Sequence, residues 1–231
     1  SDRVDREARR PFSLEHGPVI RTHLLHLPDL ESETVKGRAA EQYLLLITMH
    51  HIAADGFSLK VITDEISRAY EAEIHEAKLA LPELPIQYAD FAHWQKDLFD
   101  SGLLNNQLDY WVNHLRGVPV LDLPTDHPRP PEQTFQGSNF YFSLAKEKVQ
   151  ALKQLSRSQG VTFYMTLLAS FKVLLHHYTN SDDICVGTPI ANRTTPELEK
   201  LIGFFVNTLA LRSDLGGNPS FTEFLQRVRK T

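Results

Sequence analysis

Residues 116–131, RGVPVLDLPTDHPRPP, carry five prolines. Proline has no backbone N–H and a fixed φ, so this stretch can be neither helix interior nor central strand. Regular structure must stop before it and restart after it. The sequence therefore predicts two lobes, residues 1–125 and 126–231, joined by an extended connection.

Both sides alternate between strand and helix patterns. PVIRTHLLHL (18–27) and YLLLITM (43–49) are expected as strands, the second apolar enough to be buried on both faces. The polar segment 28–42 between them is expected as a loop. After Gly56 the period changes: Leu59, Ile62, Ile66, Ala69 and Tyr70 fall at helical spacing, with Ser58 as the expected N-cap. Further helices are expected around Tyr88–Leu98 and Leu108–Leu115.

Beyond the prolines, NFYFSL places Phe140, Phe142 and Leu144 on one strand face. Val149, Leu152 and Leu155 mark a helix, and FYMTLLASFKVLLHHY (163–178), apolar nearly all round, predicts a buried one. DICVGTPI and FFVNTLALR predict strands, and Phe221, Phe224, Leu225 and Val228 a last amphipathic helix. The expected fold class is α/β, with mixed sheets covered by helices.

Composition narrows the function classes. A net charge of −5 without a basic run argues against nucleic acid as the main partner. Cys185 is the single cysteine, which rules out an internal disulfide or a cysteine-based zinc cluster and fits a reducing cytosol. No apolar run approaches the roughly 18–20 residues of a membrane span. The glycines form neither GxGxxG nor a P-loop.

The densest chemistry lies in MHHIAADGFS, residues 49–58. An apolar strand runs into His50 and His51, then an Asp55-Gly56 turn, then a helix. Alternation would send the two histidines to opposite faces if the strand continued through them. The helix start offers free backbone N–H groups, which suit a developing oxyanion. From the pattern alone the pair can be catalytic or ordinary strand-end histidines. Metal binding is the weaker reading, because Asp55 is the only carboxylate at ligand spacing. His176–His177 closes an apolar helix, where histidine suits the helix dipole. In IGFFVNTLALR (202–212), Asn207 and Thr208 are a polar pair in an apolar run, either functional or a satisfied strand end. The aromatics of YADFAHWQ (88–95) are expected as core.

Together these segments resemble the condensation domain of non-ribosomal peptide synthetases, of the chloramphenicol-acetyltransferase-like superfamily. MHHIAADGFS looks like the family's HHxxxDG motif. EARRPFSLEHGPVIRTHLL, YADFAHW, LDLPTDHPRP and IGFFVNTLALR match its pattern in order. Phe57 stands where Trp is common and Ala54 where Ser is common. The resemblance implies a two-lobed, V-shaped fold with a tunnel between the lobes. It also implies an internal fragment, since family domains run about twice this length.

The implied reaction joins a donor acyl or peptidyl thioester to the α-amine of an acceptor aminoacyl thioester. Both are tethered to 4'-phosphopantetheine of carrier domains, with no cofactor bound by this domain itself. An α-amine titrates near about 8 and imidazole near about 6.5, so a neutral imidazole can take the amine proton. By resemblance His51 is the base, and Gly56 brings its N–H to the thioester oxygen. His50, Asp55 and Arg193 support the site, with Asp55 paired to Arg193, and Ser58 and Asn207 line the tunnel. The implied partners are upstream and downstream peptidyl carrier domains and an adjacent adenylation domain, in the cytoplasm, with no nucleic acid or membrane. Epimerising relatives share the histidine motif, but IGFFVNTLALR looks more like a condensing domain, and the expected branch joins an L-configured donor to an L-configured acceptor. The alternatives are a coenzyme A-dependent acyltransferase of the same fold and a non-catalytic recruitment domain of a synthetase.

Overall fold

A computed structural model describes residues 2–27, 34–35, 38–39, 42–134 and 137–231. The elements run α1 (Asp2–Arg9), β1 (Ile20–Leu27), β2 (Thr34–Val35), β3 (Arg38–Ala39), β4 (Gln42–Met49), α2 (Gly56–Ile74), α3 (Tyr88–Asp100) and α4 (Asn105–Leu115). After the proline-rich stretch come α5 (Lys146–Ser158), α6 (Phe163–Thr179), β5 (Asp183–Ile190), a 3₁₀ turn (Pro196–Leu198), β6 (Asn207–Asp214) and α7 (Phe221–Lys230). Among the described residues three two-stranded sheets result, β1 with β4, β2 with β3, and β5 with β6, so the chain is α/β with helices beside small sheets.

Contacts gather the residues into two units: Ser1–Ser101 with Ile190–Asn207, and Gly102–Pro189 with Thr208–Thr231. The grouping is interleaved along the chain, so residues 190–207 belong with the first unit although they lie far beyond the prolines.

In the first unit β1 and β4 pair antiparallel, from Ile20 opposite Met49 to Leu27 opposite Gln42. Beyond the last pair, the His50 N–H still donates to the Val19 carbonyl at 2.8 Å. The core is Phe91, Leu198, Leu201 and Phe205, flanked by Leu84, Ile86 and Tyr88. Arg21 anchors α1 to β1 through Glu7 and the Arg10 carbonyl, and its guanidinium lies 3.8 Å from the Phe12 ring centre.

The second unit packs α6 against α7 around Leu168, Ala169, Leu175, Ile184, Leu215, Phe224, Leu225 and Val228. Arg212 grips Asp183 with two bonds, Nε to Oδ1 at 2.9 Å and Nη2 to Oδ2 at 2.5 Å, and reaches the His114 carbonyl at 2.7 Å. Lys172 is fully buried, and its Nζ donates to the Leu211 carbonyl at 2.8 Å and to Ser213 Oγ at 2.7 Å. Burial pushes its ammonium down to about 8.

Several expectations need correction. The N-cap of α2 is Asp55, not Ser58; Ser58 is the third residue of the helix, and its N–H is the one the cap accepts. NFYFSL forms no strand: Phe140 and Phe142 are 87% and 74% exposed, and no neighbouring strand among the described residues supplies a ladder. β4 leaves Tyr43, Leu44 and Leu45 exposed instead of burying both faces. α6 buries a stripe through Thr166, Ala169 and Lys172 and exposes Leu167, Phe171 and Leu174 on the other side. Most of the expected loop 28–42 lies outside the described residues; Thr34–Val35 and Arg38–Ala39 within it pair as strands.

Candidate active site

The strand that leads into the histidine motif ends at Met49, and residues 51–53 form a turn closed by the Ala53 N–H on the His50 carbonyl at 3.0 Å. The two histidines take different neighbours. His50 is half-buried; its Nδ1 accepts the Ile52 N–H at 3.0 Å and its ring stands edge-on to Phe12, 5.7 Å between centroids. A nitrogen that accepts a backbone N–H carries no proton, which fixes the tautomer of His50. His51 is exposed, and its ring meets Phe204 in a T-shaped contact at 5.1 Å.

Behind the histidines lies a buried polar knot. Asp55 Oδ1 accepts the Ser58 N–H and hydroxyl, both at 2.8 Å, and Oδ2 accepts the Phe205 N–H at 3.0 Å. Arg193 Nη2 donates to Asp55 Oδ1 at 3.2 Å, an ion pair with both side chains 2% exposed. The same guanidinium donates to the carbonyls of Leu198 and Leu201 and, at 2.9 Å, to Ser58 Oγ. Phe205 and Phe57 flank it at 4.1 and 4.8 Å. A buried charge is tolerated only when paired and hydrogen-bonded, and here both ions are.

Burial is the largest influence on the Asp55 carboxyl and works to raise its pKa. The donors from Ser58, Phe205 and Arg193 outweigh it, so the pKa lies below the ordinary aspartate value and the group is a carboxylate.

Ser58 joins the two segments. It is fully buried, accepts the Gly203 N–H at 3.1 Å, and its hydroxyl lies 2.9 Å from the Gly203 carbonyl. One hydroxyl hydrogen cannot serve Asp55 and Gly203 at once, so the two acceptors share it. Ser58, expected on a tunnel wall, has no exposed surface here, and its side chain ties the motif to Gly203. Gly203 is further pinned by the Asp55 N–H on its carbonyl at 3.1 Å. A Cβ at Gly203 would sit 2.2 Å from the Tyr88 ring, which is why glycine stands there. Tyr88 in turn donates its hydroxyl to the Phe204 carbonyl at 2.9 Å.

This knot also explains why β6 begins only at Asn207 rather than at Phe204. The Phe204 carbonyl and the Phe205 N–H are already bound to Tyr88 and Asp55, so they cannot enter a ladder. Asn207 is exposed at the start of β6.

Gly56 is the first residue of α2, where helix geometry supplies no acceptor for its N–H. The space a side chain would take there is open, with no atom within 4 Å. An exposed imidazole and a helix-start N–H without an intrahelical acceptor are parts that acyl-transfer chemistry can use. Sequence reasoning missed Tyr88, Gly203 and Phe204 as parts of this assembly. The only local signals were a glycine ahead of an apolar run and a hydroxyl on an otherwise core aromatic. Among the described residues no group of three or more His, Cys, Asp or Glu side chains could hold a metal ion.

A family model described as the condensation domain matches residues 2–231. Gramicidin S synthase 2 of Brevibacillus brevis is 40% identical over 100% of this chain and 5% of its own length. Malpinin synthetase of Mortierella alpina is 43% identical over 99% of this chain and 3% of its own. Among solved structures, the X-domain in its complex with OxyB from teicoplanin biosynthesis superposes with a TM-score of 0.85 at 26% identity, covering 99% of this chain and 49% of that one. The chain thus spans about half of that structure and a few per cent of the synthetases.

Proposed function

From the premise that the chain belongs to the condensation-domain family, we propose that it supplies the histidine side of a site that forms amide bonds between carrier-tethered substrates. The observation that carries the proposal is that one motif holds an exposed His51 and, at the first position of a helix, Gly56 with open space where a side chain would stand, braced by the buried Asp55–Arg193 pair.

In the proposed reaction the acceptor α-amine attacks the donor thioester carbonyl. His51 takes a proton from the attacking nitrogen, and the Gly56 N–H stabilises the developing oxyanion. The C–N bond forms as the C–S bond breaks, and the proton passes on to the leaving phosphopantetheine thiolate. General-base help contributes about 10²–10⁴ in rate, and alignment of two tethered substrates supplies much of the remainder. His50 supports the backbone through its bond to Ile52, and Asp55 and Arg193 hold the turn. Asn207 is assigned to the tunnel wall.

The substrates arrive on upstream and downstream carrier domains, with an adenylation domain adjacent, in the cytoplasm. The two-lobe division at 125/126 and the preference for an L-donor and L-acceptor belong to the same proposal. Among the described residues no helix is long and apolar enough to cross a membrane.

The test is transfer between two loaded carriers in a synthetase module that contains this chain. His51→Ala should lower amide formation by at least about 10²-fold. A second reading, recruitment of another enzyme without catalysis, draws on the likeness to an X-domain solved with OxyB. A well-folded parent module that transfers nothing between loaded carriers would favour it.

A further inference from the structure

We infer that Phe204 and Tyr88 are positioning residues that set the orientation of the His51 imidazole; the inference rests on the reading of His51 as the base. His51 lies past the end of β4, in a turn and exposed, so burial does not choose its rotamer. The contact that does constrain its ring is the edge-to-face meeting with Phe204, at 5.1 Å and an interplanar angle of 79°. Such pairs contribute about 0.5–1.5 kcal/mol, enough to favour one orientation over its alternatives roughly two- to tenfold.

Core packing does not account for Phe204, which is 41% exposed, whereas its neighbour Phe205 is 2% exposed and belongs to the core. What distinguishes Phe204 is how firmly its backbone is held. On one side Gly203 bonds through N–H and carbonyl to Ser58, and on the other the Phe205 N–H bonds to Asp55. Its own carbonyl accepts the Tyr88 hydroxyl. The ring is therefore presented to His51 from a segment pinned at three successive residues.

Tyr88 is itself fixed by an edge-to-face contact with Phe205 at 5.1 Å, and its ring fills the space that Gly203 leaves open. This gives the YADFAHW segment a task beyond core packing: its tyrosine hydroxyl carries the rigidity of α3 to the residue that faces the base. A base displaced by about 1 Å can lose up to about 10²-fold in rate, so orientation here is worth a measurable part of catalysis.

The experiment uses a synthetase module containing this chain, with both carriers loaded, and reads kcat and the KM for acceptor separately. Phe204→Leu should lower kcat about tenfold with KM unchanged, and Phe204→Tyr, which keeps the ring edge, should restore most of the rate. Tyr88→Phe keeps the packing and removes only the bond to Phe204; it should lower kcat about two- to tenfold, as loss of one hydrogen bond allows. His51→Ala in the same assay separates the two ideas. If His51→Ala is slow while Phe204→Leu runs at the parent kcat, the positioning inference is overturned and the base reading stands. If His51→Ala also runs at the parent rate, the base reading fails first. Equal losses for Phe204→Leu and Phe204→Tyr, or a Tyr88→Phe module at the parent rate, would likewise overturn the inference.

Discussion

Replacing Asp55 by asparagine removes one charge and almost no volume, so it isolates what the buried ion pair contributes. The asparagine would keep an oxygen for the Ser58 N–H and hydroxyl, preserving the cap of α2. Its NH₂ group would point a donor at the Phe205 N–H, where Asp55 Oδ2 now accepts at 3.0 Å. Arg193, 2% exposed, would lose its anion. Stranding a buried charge costs about 3–5 kcal/mol. The carbonyls of Leu198 and Leu201 and the Ser58 hydroxyl still serve the guanidinium, which sets the expectation at the lower end, about 3 kcal/mol. Asp55→Ala also loses the cap on the Ser58 N–H, worth about 1 kcal/mol, for a total of about 4 kcal/mol.

The assay is urea unfolding in a Trp111→Phe background, so that Trp94 on α3, 5.8 Å from the Phe91 ring in the same unit, reports the transition. The sign of the pH dependence provides an internal check. The carboxyl titrates below its unfolded value near about 3.9, so the pair's stability is complete above that value and is lost as pH falls through the folded pKa. The difference between wild type and Asp55→Asn should therefore be largest near neutrality and shrink as pH falls below the unfolded value of about 3.9. An asparagine variant within about 1 kcal/mol of wild type at pH 7, or one worse than alanine, would refute the reasoning.

Gly203→Ala should destabilise the first unit by about 3 kcal/mol, the upper end for overpacking, because the Tyr88 ring it strikes is anchored at both ends; thermal unfolding measures this, and adding Tyr88→Ala should cost less than the sum of the two changes. Lys172, held down at about 8 by burial, binds its proton less readily folded than unfolded, so wild type should gain stability as pH rises from about 8 to about 10.5; the gain should be missing from Lys172→Met when denaturation midpoints are compared across that range. Arg212→Lys breaks the two-bond grip on Asp183 and should cost about 1 kcal/mol by chemical denaturation, with Arg212→Ala worse because the His114 carbonyl also loses its donor.

What could be learned from the amino acids alone follows the range of the forces involved. An apolar run that changes to helical spacing across Asp-Gly is a local pattern, and β4, the turn and α2 appear where it places them. The family likeness rests on short motifs in order, and the family match over residues 2–231 agrees with it. The α/β class follows from alternation on both sides of the prolines. That a buried carboxylate such as Asp55 needs a cation is a chemical requirement that holds before any fold is known, and the resemblance implies that the cation is Arg193.

Tertiary structure decided the rest, because those choices depend on residues far apart in the chain. Strand status needs a neighbour to bond to: NFYFSL has the alternation but no adjacent ladder among the described residues, and Phe204–Phe205 spend their backbone groups on Tyr88 and Asp55 instead. By its position beside the motif, Ser58 suits a tunnel wall. Its hydroxyl in fact meets Gly203, 145 residues away, and is sealed from solvent. The polar residues near a motif can be picked out from the sequence, but which of them face inward is settled by the segment that folds back over them. Here that segment is Gly203–Phe205, and its backbone, which no side-chain pattern records, ties the motif in place.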